Sequence, residues 1–154
     1  MSKIYRIDVI SDTHGWLSDE LLGELEGADL IVHAGDICST SDYLKLQKIA
    51  PIKACLGNND FPGQYPDDVS RITSFVYQGL RFQVCHYQER LVKGAADISV
   101  CGHTHRPFID QENSKKLLMN PGSPTYPRGF VIGASMGRIH IQDRKILDCE
   151  IIEL

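Results

Sequence analysis

The sequence predicts an α/β fold built on mixed β-sheets. Three observations carry this. The first third alternates apolar, Ile- and Val-rich runs with amphipathic segments, the order of a parallel sheet with crossover helices. The second half changes to short alternating runs between turn residues, the pattern of antiparallel pairing. Hydrophobic residues make up 42% of the 154 residues and charged residues 23%, which suits a packed core and argues against disorder. That length suits one domain, residues 1–154.

The elements follow in order. "IYRIDVIS" reads as a strand. "SDELLGELEGA" reads as a helix: Leu21, Leu22 and Leu25 share a face, Ser18 is its N-cap and Gly27 its stop. "DLIVHAGD" is a buried strand ending in a glycine turn. "STSDYLKLQKIA" is a helix with Pro51 just past its end. "IKACLGNND" is a third strand with a turn at its carboxyl end. "RITSFVYQGLRFQVCH" is a hairpin joined at Gln78-Gly79. "ERLVKGA" reads as a short helix and "DISVCGH" as another buried strand. From Pro107 on, "KKLLMNPGS", "GFVIGASMGRIHIQ" and "KILDCEIIEL" read as antiparallel strands. No repeat, linker or low-complexity segment interrupts the chain.

Several function classes are disfavoured. A net charge of −4 argues against a general nucleic-acid grip, which needs a basic face. No apolar run reaches membrane-spanning length. The amino terminus, "MSKIYRIDVISD", lacks the apolar core and cleavage site of a signal peptide. The five cysteines are odd in number and form no CxxC, so they read as reduced thiols of a cytoplasmic protein. The sequence is compatible with a homo-oligomer.

Polar residues collect at the strand ends. "SDTHG" brings Asp12 and His14, "HAGDI" brings Asp36, and "LGNND" brings Asn58, Asn59 and Asp60. "VCHYQ" brings His86, and "VCGHTH" brings His103 and His105. Open α/β sheets bind ligands beyond the carboxyl ends of their strands. In extended chain, residues i and i+2 point the same way, about 6.6 Å apart. Asp12 and His14 are thus expected to converge on one ion, as are members of the His103/His105 pair. Gly15, Gly35, Gly57 and Gly102 permit tight turns or close approach beside them. The mixed imidazole, carboxylate and amide set is too large and oxygen-rich for a closed tetrahedral zinc site. It suits two first-row ions sharing one carboxylate.

These blocks, in this order, resemble those of the calcineurin-like metallophosphoesterases. "GHTH" followed by "NPGS" narrows the resemblance to small bacterial and archaeal phosphodiesterases of the YfcE type, which share their fold with the retromer subunit Vps29. The resemblance covers nearly the whole chain. It implies two mixed sheets packed face to face and flanked by helices, a four-layer α/β/β/α sandwich with metals at one edge. It places Asp12, His14, Asp36 and His105 on one ion, and Asp36, Asn58, His86 and His103 on the other, with Asp36 bridging. Manganese is the ion first expected; iron, zinc, nickel and cobalt suit the same donors.

Two positions depart from the family pattern. Many relatives carry histidine after the ligand asparagine, where this chain has Asn59. An amide donates a hydrogen bond but no proton at neutral pH. Asn59 is thus expected beside the leaving group or, with Asn58, against the phosphate. Many relatives also read His-Gly-His where this chain has His86-Tyr87-Gln88.

The remaining polar residues have plainer readings. His33 is expected to be a hydrogen-bonded core residue, His140 to face solvent, and Asp8 to lie at an edge or pair with Arg6. Asp60 is expected to fix the turn after Asn58, and Arg128 to be a surface residue. The expected function is dinuclear-metal hydrolysis of a small phosphoester, a phosphodiester first, by a hydroxide bridging the ions. The alternative is a Vps29-like metal-binding scaffold for protein partners; the complete set of metal-competent side chains favours the enzyme.

Overall fold

The computed structural model describes residues 2–128 and 132–154. The first half runs β1 (Tyr5–Ile10), α1 (Asp19–Leu25), β2 (Leu30–His33), α2 (Thr40–Ile49), β3 (Ile52–Ala54). The second runs β4 (Ile72–Tyr77), β5 (Leu80–Cys85), β6 (Ile98–Val100), β7 (Phe108–Asn113), β8 (Lys116–Asn120), β9 (Ser135–Gln142) and β10 (Lys145–Glu153). Two five-stranded sheets result, ordered β10-β9-β1-β2-β3 and β4-β5-β6-β8-β7. Both are mixed. β1, β2 and β3 pair in parallel, and β9 and β10 add antiparallel strands on the other side.

The helices form where capping chemistry permits. The Ser18 hydroxyl accepts the Leu21 N–H, and Asp19 and Glu20 place negative charge at the positive end of α1. The Ser39 hydroxyl accepts the Asp42 N–H to start α2, which stops before Pro51. Leu21, Leu25, Tyr43 and Leu46 pack on Ile10 and Ile31, closing the outer face of the first sheet. On its inner face Ile7, Val9, Leu30 and Val32 meet Phe82, Val84, Ile98, Val100 and Met119 of the second sheet. Each such aliphatic side chain stabilises the stack by roughly 1.5–3 kcal/mol.

Asp8 is not at an edge. It lies in central β1, fully buried, and both Arg6 and Arg138 donate to its carboxylate. Those arginines also donate to the Glu24 carbonyl in α1, so the buried charge is paired and tied to the helix layer. His140 does not simply face solvent: it is half-buried, with Nδ1 2.6 Å from the Asp148 carboxylate.

The second half is less antiparallel than its pattern suggests. β4 pairs antiparallel with β5 through Gln78 and Gly79, both at positive φ (49° and 79°), as a tight hairpin requires. However, β5, β6 and β8 run parallel. The crossover from β5 to β6 contains only a 3-10 turn at Gln88–Arg90 where a helix was expected. β7 is an unforeseen strand. Its residues Asp110 to Asn113 are exposed, so no apolar alternation marks it. The strand expected from Gly129 begins at Ser135, and residues 129–131 lie outside those described.

Candidate metal centre

The carboxyl ends of β1, β2, β3, β5 and β6 meet at one edge of the stack. The loop after β1 zips onto the loop after β2: Asp12 N donates to Gly35 O at 2.9 Å and His14 N to Asp36 O at 3.0 Å. Within the second sheet Gly102 N donates to His86 O, and across the sheets His103 N donates to Asp12 Oδ2 at 3.0 Å. Such close approach needs glycine. A Cβ on Gly57 would strike the Asp36 carboxylate, and one on Gly102 the Ser11 hydroxyl and Asp12 Oδ2.

Asp12, His14, Asp36, His103 and His105 all take left-handed backbone, with φ of 56°, 51°, 58°, 70° and 60°. This corrects the extended geometry expected for the i, i+2 pairs. Side chains converge because each loop coils tightly. Left-handed non-glycine residues cost about 1–3 kcal/mol each and persist where surrounding structure imposes them, commonly at functional sites.

Two donor triads result: Asp12 with His14 and His105, and Asp12 with Asp36 and His86, the ligand atoms of each lying within 4.8 Å of one another. Asp12 Oδ1 lies 3.2 Å from His105 Nε2, 3.6 Å from His86 Nε2 and 3.8 Å from His14 Nε2. Asp36 Oδ2 lies 3.4 Å from His86 Nε2 and 3.7 Å from His14 Nε2. The resemblance assigns the shared carboxylate to Asp36. Here both aspartates reach donors of both triads, and Asp12 belongs to each.

Hydrogen bonds behind the imidazoles fix their tautomers. His86 Nδ1 lies 2.7 Å from the Ala34 carbonyl, and His105 Nδ1 2.6 Å from the Tyr126 carbonyl. A carbonyl only accepts, so each Nδ1 carries a proton, and the neutral form of each imidazole offers its Nε2 lone pair to the cluster. His14 Nε2 and His105 Nε2 face each other at 3.2 Å. Asp12 Oδ1 and His86 Nε2 are buried with no hydrogen-bond partner among the described residues. Buried orphans are rare and costly. A divalent cation would satisfy both, so the residues present fit metal.

The charges agree. Burial pushes the Asp36 carboxyl up, but His86 and Asn59 outweigh it and hold it well below the usual carboxylate range. Burial also opposes ionisation of Asp12, and His105, His86 and Ser11 overcome it. His86 is raised: burial pulls it down, but Asp36, Asp12 and the Ala34 carbonyl outweigh that. His105 is raised chiefly by Asp12.

The other expected ligands sit at the margin. His103 is exposed, its ring 5.1 Å from that of His86 and 4.7 Å from that of Tyr87. Asn58 is exposed. Asn59 has a role its residue type did not announce. Its backbone N–H donates to Asp36 Oδ1 at 2.9 Å and its side-chain amide to Oδ2 at 3.1 Å. It grips the carboxylate from both ends.

Asp60 does more than fix its own turn. Its buried carboxylate accepts the N–H groups of Asp36, Cys38 and Gly57 at 2.7, 2.9 and 2.8 Å, and the Tyr65 hydroxyl at 2.6 Å. It locks the loop after β2 to the loop after β3. His33 is buried; Gly35 N donates to its Nδ1, so Nε2 carries the proton and donates to Thr13 at 2.9 Å. Burial lowers its pKa to about 4.

Two supports escape a reading by residue type. The Ser123 hydroxyl, in "NPGS", donates to the Asp12 carbonyl at 2.7 Å. The Cys38 thiol lies 3.8 Å from His14 Nδ1. No sequence signal marks Cys38. All five cysteines are free thiols.

Comparison with known proteins agrees with this geometry. The calcineurin-like phosphoesterase superfamily domain matches residues 5–144. A protein named "Probable metallophosphoesterase" from Methanothermobacter thermautotrophicus is 33% identical, over 95% of this chain and 91% of its own. Among solved structures, the phosphoesterase YfcE from E. coli superposes with TM-score 0.68 at 21% identity, over 94% of this chain and 98% of its own. Vacuolar protein sorting 29 from Cryptosporidium parvum superposes with TM-score 0.74 at 18% identity, over 98% of each chain.

Proposed function

Because the chain belongs to the calcineurin-like phosphoesterase superfamily, we propose that it is a dinuclear-metal phosphodiesterase acting on a small phosphoester. One observation carries this reading: the donor atoms of Asp12, His14, Asp36, His86 and His105 converge, and two of them, Asp12 Oδ1 and His86 Nε2, are buried orphans. Asp12, His14 and His105 would hold one ion. Asp36 and His86 would hold the other, with Asn58 and His103 completing it. Ions held there supply Lewis acidity and lower the pKa of water toward neutrality.

The chain's own residues do the rest. The Ala34 and Tyr126 carbonyls orient the His86 and His105 imidazoles. Asn59 spends one side-chain N–H on Asp36, and its second can donate to a phosphoryl oxygen. An amide transfers no proton, so a departing alcohol gets no acid help from Asn59, and diesters with acidic leaving groups are favoured. Manganese is the proposed ion. Five free thiols support a cytoplasmic site of action.

The test is turnover of a panel of phosphodiesters and monoesters by protein stripped and then reloaded with manganese. Faster diester than monoester hydrolysis supports the proposal. Faster monoester hydrolysis rejects the diester assignment.

A further inference from the structure

Beside the metal centre lies an open cleft of ≈ 300 Å³ lined by His103, Thr104, Arg106 and Arg128. It abuts the cluster through His103, whose backbone N–H donates to Asp12. In a chain of net charge −4, at a centre built on buried aspartates, two arginines in one cleft are out of keeping with their surroundings.

Both arginines are anchored at the backbone. Arg106 follows His105 directly, and its N–H lies 3.3 Å from Thr104 Oγ1. The Arg128 N–H donates to the His105 carbonyl at 3.0 Å, bringing the loop that follows "NPGS" against the histidine pair. Thr104 Oγ1 also accepts the Asn120 amide at 3.2 Å. With N–H donors filling its acceptor sites, the hydroxyl proton is left to donate into the cleft. Two arginines and one hydroxyl, with His103 beside them, give the lining a surplus of donors that suits phosphate.

We propose that this cleft binds a second phosphate of the substrate, so that preferred substrates are phosphodiesters carrying a further phosphate a few bonds from the scissile one. The substrate assignment rests on the phosphodiesterase reading; the anion site itself does not. Charge-assisted hydrogen bonds of this kind are each worth about 10- to 100-fold in affinity.

Two measurements test the proposal separately. The first titrates metal-free protein with inorganic phosphate and follows backbone amide shifts. Saturable shifts at Thr104, Arg106 and Arg128, abolished in the Arg106→Ala/Arg128→Ala variant, support the site. Equal shifts in both proteins overturn it. The second compares two p-nitrophenyl phosphodiesters on manganese-loaded protein, one with a propyl group as its second alcohol and one with a 3-phosphopropyl group. The expected kcat/KM ratio favours the phosphorylated diester at least about tenfold, collapsing toward one in the double variant. A ratio near one in the wild type overturns the substrate assignment. Turnover of neither diester, with the phosphate shifts intact, rejects the phosphodiesterase reading and leaves the anion site standing.

Discussion

At the scale of single residues, the site is built from strain and orphaned atoms. Asp12 and Asp36 sit at positive φ with carboxylates turned toward imidazole lone pairs. Asn59 keeps Asp36 in place from both oxygens. Asn59→Ala should therefore weaken metal binding about 10–100-fold, as loss of an outer-sphere partner typically does. A series of leaving groups should give a slope parallel to wild type once the variant is saturated with metal. A changed slope would put Asn59 at the leaving group.

His33 predicts a pH dependence. Its folded pKa, about 4, lies below the ordinary 6.5, so only the unfolded chain takes up the proton between those values. Its contribution is complete above pH 6.5 and is lost as pH falls toward 4. At about 1.4 kcal/mol per unit that is on the order of 3 kcal/mol. Urea melts of metal-free protein should show the stability gap between wild type and His33→Asn narrowing by that order over this range. A pH-independent gap would remove His33 as the cause. The sequence blocks named Asp12, His14, Asp36, His86 and His105, whose donor atoms the structure brings close together, and also Asn58 and His103, which lie exposed beside them. They did not reveal the left-handed backbone, which packing between loops imposes and no residue type announces.

At the scale of elements, strand ends carry the chemistry and Asp60 ties two of them together. Removing its charge leaves buried N–H groups of Asp36, Cys38 and Gly57 short of an acceptor. Each orphan costs about 1–3 kcal/mol. Asp60→Ala should thus lose roughly 3 kcal/mol or more in urea denaturation and lose metal affinity with it. A loss under about 1 kcal/mol would show that the loops hold without the clamp. The two helices were legible because Ser18 caps the first and Gly27 and Pro51 follow their ends; the Ser39 cap of the second emerged from the structure. β7 was not, because its outer half meets water on both faces. The parallel pairing of β5, β6 and β8 was hidden for another reason: the crossover carries no α-helix to advertise it.

At the scale of the molecule, the two sheets share one core. Val9 and Val32 of one sheet pack with Val84 and Val100 of the other, immediately before the loops that bear Asp12, Asp36, His86 and His103. We propose on this ground that residues 1–154 fold as one domain. Fluorescence and far-UV circular dichroism should then report a single coincident urea transition; two separated transitions would divide the chain. Periodicity alone indicated mixed sheets, and only the family resemblance indicated that two of them stack, since face-to-face packing joins segments far apart in sequence. No helix among the described residues is long and apolar enough to cross a membrane.

The most direct test of the metal-centred account is a titration of stripped protein with manganese, reading bound metal and hydrolysis of bis(p-nitrophenyl) phosphate in the same samples. The account predicts no hydrolysis above buffer without metal, and a rate that rises with occupancy and levels off near two ions per chain, following the two-ion arrangement. Full activity in excess chelator would contradict it, and so would two bound ions with no hydrolysis, the behaviour of a scaffold.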